Sequence, residues 1–203
     1  MSQPYHHGDL RAAFLDAALH SLDQHGELPS WRALARACAV SHTAPYRHFA
    51  SFEALQVAVA AACFARLTVA ITHAAGALPT PRARLAAGLR AYIEFGITHR
   101  SWYDLMFGRN LALLRHAEVQ IAGTAAYMTL IDAVAACGVK DAAGVGFTLW
   151  CAAHGFADLA ASGLRAPVPV AAPDRMLEAL IEMCVAHALA AVGPTPRRRG
   201  AKT

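Results

Sequence analysis

The segment 30–49, SWRALARACAVSHTAPYRHF, constrains the fold more than any other part of the chain. Ser30 is a suitable N-cap for a short helix over 31–38, Ala39 and Val40 form a tight turn, and Ser41 caps a second short helix that ends near 49. This spacing leaves one set of side chains facing inward, namely Leu34, Ala35, Val40, Ala44 and Phe49. Polar side chains remain on the outside of the second helix, namely His42, Thr43, Tyr46, Arg47 and His48. The pattern is typical of a helix-turn-helix, although an ordinary helical hairpin inside a bundle has the same spacing.

The rest of the chain has a helical pattern. Hydrophobic residues make up 56% of the 203 residues, largely through alanine, and β-branched runs are few. Apolar periodicity and glycine or proline stops predict about nine helices, at 9–24, 31–38, 42–49, 52–75, 82–98, 101–107, 113–136, 141–162 and 174–192. Gly26 is the expected stop of the first helix, Ser51 the cap of the fourth, and Leu78-Pro79-Thr80-Pro81 the break before the fifth. The sequence therefore predicts an all-α fold.

Location and charge follow from composition. We expect no membrane span, because Arg66 and the acidic residues Glu178 and Glu182 interrupt the apolar runs, and no signal-peptide pattern at the start, which favours the cytoplasm. Five cysteines at scattered positions are expected to be small buried apolar residues. The net charge of +4 equals the charge of three arginines and one lysine after residue 193. Within residues 1–50 four arginines are matched by four carboxylates, and the polar residues there are rich in histidine, which argues against strong non-specific attraction to phosphate.

Two distant stretches resemble one known family. The run 34–49, and most specifically the ending Tyr46-Arg47-His48-Phe49, is similar to the helix-turn-helix signature of the tetracycline-repressor (TetR) family. The run 5–11, YHHGDLR, resembles the start of the first helix in one subgroup, whose C-terminal domain is named for a Trp-His-Gly motif. Residues 150–155, WCAAHG, match that motif as W-x3-H-G, so the resemblance extends over about residues 5–190.

This resemblance implies a homodimeric, ligand-responsive regulator, by default a repressor, that binds a palindromic operator in double-stranded DNA. Its division of the chain would be a three-helix DNA-binding domain at 9–52, a linking helix at 53–78, a ligand-binding and dimerisation domain at 79–192 and a disordered basic tail at 193–203. The DNA-binding residues it implies are Ser30, Ser41, His42, Thr43, Ala44, Tyr46, Arg47 and His48. The first residues of the second helix would reach base edges, whereas Tyr46 and His48 would contact phosphate.

Two departures from the family pattern affect the DNA-binding segment. The turn carries Ala39 where the family usually has glycine, which costs about 1 kcal/mol if the backbone there is left-handed. The start of the next helix, Ser51-Phe52-Glu53, lacks the lysine that is common in the family. Both departures favour modest affinity for DNA without changing the predicted fold.

The second half of the chain carries candidate effector and dimer residues. Aromatic and polar side chains on its helices predict a pocket for a small apolar or aromatic effector, with plain hydrophobic core as the alternative. The candidates are Phe95, Trp102, Tyr103, Met106, Phe107, Tyr127, Trp150 and His154. Small residues on the last two helices predict close contact with a second copy, as in the family. They are Gly155, Ala157, Ala160, Ala161, Ala179, Ala186 and Ala190.

Other functions have less support. Cys151 with His154, and Cys184 with His187, have the spacing of two metal ligands on one helical face, but no further ligand motif accompanies them, so we predict no metal and no cofactor. The sequence contains no phosphate-binding loop, nucleophile elbow or His-Glu-x-x-His motif, so we predict no enzymatic activity. The main alternative is a helical ligand or metal sensor with weak or lost DNA binding.

Overall fold

The computed structural model describes residues 10–108, 112–161 and 173–192. In these ranges the regular structure consists of eight α-helices and two short 3-10 helices, at Pro45–Arg47 and Leu113–Arg115. The α-helices are α1 (Leu10–His25), α2 (Trp31–Ala37), α3 (Phe52–Gly76), α4 (Pro81–Thr98), α5 (Arg100–Phe107), α6 (Ala117–Ala136), α7 (Ala142–Ala161) and α8 (Pro173–Ala190). The predicted all-α fold class is confirmed.

Local signals in the sequence locate the helix ends. The Ser30 hydroxyl accepts a hydrogen bond from the Ala33 N–H at 3.3 Å, and the Ser51 hydroxyl accepts one from the Ala54 N–H at 3.1 Å. Gly26 ends α1 with a φ of 75° while its N–H donates to the Leu22 carbonyl. These groups satisfy donors and acceptors that a helix end would otherwise leave unpaired. The predicted caps at Ser30 and Ser51 and the stop at Gly26 are therefore confirmed.

The prediction of a second helix over 42–49 in the helix-turn-helix is wrong in both length and helix type. Residues 42–44 form turns, and only Pro45–Arg47 is helical, as a 3-10 helix. Pro45 has no N–H to donate to the Ser41 carbonyl, and that carbonyl instead accepts from the Ala44 N–H at 3.0 Å. The same i to i+3 spacing recurs when Arg47 donates to the Ala44 carbonyl, so the segment is wound more tightly than an α-helix.

The chain divides into two compact units. The first contains the described residues up to Ala70 together with Glu94–Tyr127, and in it α1 packs against α2 and α5 around buried residues such as Phe14, Leu34 and Met106. The second contains Ile71–Ile93 and the described residues from Met128 onward. In the second unit α7 packs against α8, and Leu85, Leu149 and Val185 are buried. The helices α3, α4 and α6 each contribute residues to both units.

Two helices are apolar over a length that could cross a membrane. Both α3 and α6 have the length and mean hydropathy of a membrane span, so the expectation that interrupting charges keep every apolar run too short is wrong. Half of the apolar window of α3 is buried inside the protein, as expected for a core helix, but only 17% of the α6 window is buried. The predicted basic tail at 193–203 lies outside the described residues.

Candidate functional site

The polar run 41–48, which we call the recognition segment, lies on the surface of the first unit. Ser41, His42, Thr43, Arg47 and His48 are exposed, and the two hydroxyls of Ser41 and Thr43 are 3.2 Å apart. Ala44 is half-buried. The structure thus brings seven of the eight predicted DNA-binding residues together in one stretch, and the eighth, Ser30, caps α2.

Tyr46 and His48 are in contact with the core without being enclosed by it. The Tyr46 side chain is 56% exposed while its ring lies 5.1 Å from that of Trp31, and the exposed His48 ring meets Phe14 edge-on at 5.6 Å. Both side chains therefore pack against the core on one side and expose a surface that a partner can reach.

The turn before the recognition segment has a left-handed residue. Ala39 has a φ of 54°, while its N–H donates to the Arg36 carbonyl and the Val40 N–H donates to the Ala35 carbonyl. These two bonds form a Schellman motif, in which glycine is usual at the left-handed position. The backbone at Ala39 is therefore left-handed, which meets the condition under which the alanine carries strain.

A cavity of about 270 Å³ lies beside the recognition segment, within the first unit. Its lining includes His48, Phe49, Glu53 and His116, and the His116 Nε2 lies 3.2 Å from a carboxylate oxygen of Glu53. This pair joins the first turn of α3 to the residue that precedes α6. None of the eight predicted effector-pocket residues lines this cavity.

The predicted effector-pocket residues divide between the two units. Phe95, Trp102, Tyr103 and Met106 are buried in the first unit, where Phe107 and Tyr127 are half-buried. The Trp102 indole N–H donates to the Leu19 carbonyl at 3.3 Å, and its ring stacks on His99 at 4.3 Å. Because the indole N–H of Trp102 is already bonded to α1, the structure favours a place in the hydrophobic core over an effector pocket for this residue.

The remaining two residues, Trp150 and His154, belong to a hydrogen-bonded triad in the second unit. The Trp150 indole N–H donates to the Tyr92 hydroxyl at 3.1 Å, and that hydroxyl shares a hydrogen bond with the His154 Nδ1 at 2.8 Å. Tyr92 is 8% exposed, and the other two side chains are half-buried. Burial lowers the pKa of His154 below its ordinary value, against an opposing effect of the Asp158 carboxylate. The triad therefore presents polar groups among helices of largely apolar composition.

The predicted dimer residues differ in exposure. Ala160, Ala179, Ala186 and Ala190 are exposed, and Gly155 and Ala161 are partly exposed. Ala157 is fully buried in its own chain, so its assignment to a dimer surface is wrong. Larger exposed apolar side chains, Phe147, Leu159 and Met183, lie on the same two helices.

The cysteines only partly follow the prediction. Cys38, Cys63 and Cys184 are buried, and burial raises the pKa of the Cys63 thiol to about 12. Cys137 is half-buried, and Cys151 is exposed, which contradicts the expectation for that residue. Within the described ranges no three His, Cys, Asp or Glu side chains come together as metal ligands.

Several residues at these sites carry no clear signal in the sequence. Trp31, Phe52, Tyr92 and Met183 have the pattern of ordinary helix positions, but each contributes to a contact or an exposed surface. Of these four, only Tyr92 could have been found from sequence, because a tyrosine at an apolar helix position requires a hydrogen-bond partner for its hydroxyl.

Comparison with known proteins agrees with this architecture. The family model described as "Tetracyclin repressor-like, C-terminal domain" matches residues 85–184. A Rhodococcus sp. RHA1 protein of unknown function is 35% identical, with a TM-score of 0.75, over 91% of this chain and 98% of that chain. None of the curated proteins matches the chain.

Two regulators share the fold at lower identity. A TetR family transcription regulator from Marinobacter aquaeolei VT8 is 17% identical, with a TM-score of 0.63, over 88% of this chain and 95% of that one. The TetR-like regulator LfrR from Mycobacterium smegmatis, solved in complex with proflavine, is 15% identical, with a TM-score of 0.58, over 92% and 99%. The helical architecture, the matched C-terminal domain and these structures lead to one conclusion: the chain belongs to the tetracycline-repressor family of transcriptional regulators.

Proposed function

We propose that the protein binds a palindromic operator in double-stranded DNA as a homodimer and represses transcription until a small effector is bound. The observation that carries the proposal is the exposed recognition segment, in which His42 and Thr43 precede Tyr46, Arg47 and His48 on one surface. Short polar side chains at its start suit contacts with base edges, and the later residues suit contacts with phosphate. The proposed DNA-binding domain is 9–52, joined through 53–78 to an effector and dimer domain at 79–192.

The homodimer in this proposal forms through α7 and α8. Phe147 and Met183 have exposed fractions of 55% and 57%, and the exposed alanines of α8 let a second helix approach closely. Exposed apolar side chains at this density are typical of a protein interface. Two-fold symmetry would then match the two halves of a palindrome.

The effector in this proposal is an apolar or aromatic molecule that contacts the Trp150–Tyr92–His154 triad. The complex of LfrR with proflavine supports an aromatic effector for that protein, and the triad offers hydrogen-bonding groups beside an indole ring here. Coupling between effector and operator in such proteins amounts to about 1–3 kcal/mol. The protein would act in the cytoplasm, and assignment to the Trp-His-Gly subgroup is part of the same proposal.

Selection of DNA by the full-length protein tests the central claim. Duplexes enriched from a random pool should contain an inverted repeat and should bind at least about a thousandfold more tightly than an unrelated duplex at physiological salt. Uncharged aromatic compounds that raise the melting temperature should also release the selected duplex. Equal affinity for selected and unrelated duplexes would instead support the ligand- or metal-sensing alternative without specific DNA binding.

A further inference from the structure

Three aromatic side chains meet beside the recognition segment. The Trp31 ring lies 5.1 Å from that of Tyr46 and 5.8 Å from that of Phe52, measured between ring centroids. Tyr46 is 56% exposed and Phe52 is 39% exposed, whereas Trp31 is half-buried. We call these three residues the aromatic surface. Their contact makes a continuous apolar face in a part of the molecule that is otherwise polar.

Contacts within the first unit support the aromatic surface. Trp31 stacks on Phe49 at 6.4 Å, and Phe49 is 3% exposed and packs edge-on against Phe14. Trp31 and Phe52 are also the first residues of α2 and α3, whose starts are held by the caps at Ser30 and Ser51. A surface held in this way loses little conformational entropy on binding.

The recognition segment contributes little charge of its own. Four arginines and three carboxylates lie within residues 10–50, but the carboxylates are on or just after α1, and the only arginine of the recognition segment is Arg47. Arg11 lies over the Phe49 ring at 5.3 Å and 3.9 Å from the Glu118 carboxylate. Since the recognition segment contributes a single arginine, we expect a bound duplex to gain affinity from uncharged contacts as well.

The position and size of the aromatic surface identify its occupant. Tyr46 belongs to the recognition segment, so DNA docked there must also pass over the adjoining rings. Along a DNA strand, phosphates alternate with deoxyribose rings, and the C–H faces of deoxyribose are apolar. Three rings are far fewer than the 20–30 residues a side of a standard protein interface, so they suit a narrow strip of DNA backbone better than a protein partner.

We propose that Trp31, Tyr46 and Phe52 pack against consecutive deoxyribose rings of one operator strand, and that this apolar packing replaces part of the usual ionic grip on the backbone. The inference rests on the proposed DNA binding. It identifies Phe52 as an affinity-determining residue that acts without any charge.

The test uses full-length protein and the duplex selected from a random pool. The Phe52→Ala variant should bind about five- to tenfold more weakly, because alanine buries less apolar surface against each half-site. The slope of log K against log[KCl] should stay at the wild-type value, because no charge is removed. In hydroxyl-radical footprinting, which reports access to deoxyribose hydrogens, this variant should show weaker protection at a few adjacent sugars in each half-site. Phe52→Leu should recover part of both effects.

Two comparison variants make the outcome decisive. Val69→Ala, on the same helix and at 65% exposure, should bind like wild type. Arg47→Ala should make the salt slope shallower by about 1 for each phosphate that the arginine neutralises in the wild-type complex. Affinity of Phe52→Ala within twofold of wild type, unchanged sugar protection, or a shallower salt slope for this variant would each overturn the inference and leave DNA binding intact. Failure of the protein to enrich any duplex would instead refute the proposed function, and the inference with it.

Discussion

The hydroxyl of Tyr92 on α4 lies 2.8 Å from the Nδ1 of His154 on α7, a residue 62 positions further along the chain. The Trp150 indole N–H donates to the same oxygen at 3.1 Å. One buried hydroxyl thus joins two side chains of α7 to α4, within the second compact unit.

Removing this hydroxyl should destabilise the protein. In the Tyr92→Phe variant the packing of the ring remains, but Trp150 and His154 each lose a hydrogen-bond partner in a half-buried site. We expect a loss of about 1–2 kcal/mol in the free energy of unfolding, measured by urea denaturation. Tyr46→Phe is the matched control, because the Tyr46 side chain is 56% exposed and its change should be within about 0.5 kcal/mol. Equal effects of the two substitutions would contradict a structural role for the triad.

The lowered pKa of His154 predicts a dependence of stability on pH. Below its ordinary pKa of about 6.5 the unfolded histidine binds a proton that the folded one resists, so acid favours unfolding. The contribution of this group to stability is therefore complete above about pH 6.5, and it is lost as the pH falls from there to the lower folded pKa. The urea concentration at the unfolding midpoint should decrease as the pH is lowered from 7.5 to 5. The His154→Asn variant, which keeps a polar group near Nδ1, should show a smaller decrease. A variant that loses as much stability as wild type over this range would show that other groups cause the effect.

The left-handed turn offers a stabilising substitution. Ala39 has a φ of 54°, which glycine adopts without the steric cost of a Cβ atom. Ala39→Gly should raise the free energy of unfolding of the first unit by about 1 kcal/mol, visible as a higher melting temperature. The control is Ala37→Gly, two residues earlier in right-handed α2, which should cost about 0.5–1 kcal/mol. If both substitutions destabilise, Ala39 is not under backbone strain.

The exposed face of α7 and α8 predicts the effect of an added charge on assembly. Met183→Glu would place a carboxylate in the proposed dimer surface, and an unpaired buried charge costs at least about 2 kcal/mol, or more than tenfold in the dissociation constant. Sedimentation equilibrium should show a dimer for wild type and mainly monomer for the variant. Val69→Glu, at a comparable exposure of 65% on α3, should remain dimeric. A wild-type protein that is monomeric at all concentrations would contradict the proposed dimer.

Local rules account for what could be predicted correctly from sequence. The caps at Ser30 and Ser51, the stop at Gly26, the break before α4 and the strained Ala39 each depend on hydrogen bonds between residues at most five apart. The failure at 42–49 was also local, because the missing N–H of Pro45 favours bonds between residues three apart and shortens the helix to a 3-10 turn. The predicted domain boundaries, and the predicted site residues other than Ala157, stay predictions.

The sequence by itself determined that the chain is all-helical, where most helices begin and end, and which family signature the recognition segment carries. Only the tertiary structure decided that Trp31 joins Tyr46 and Phe52 in one surface, that Tyr92 connects Trp150 to His154, and that Ala157 faces its own chain. The physical reason is that helix signals act over one or two turns, whereas these contacts depend on how helices far apart in sequence pack. That packing depends on side chains of the whole core at once, so no single segment contains the information.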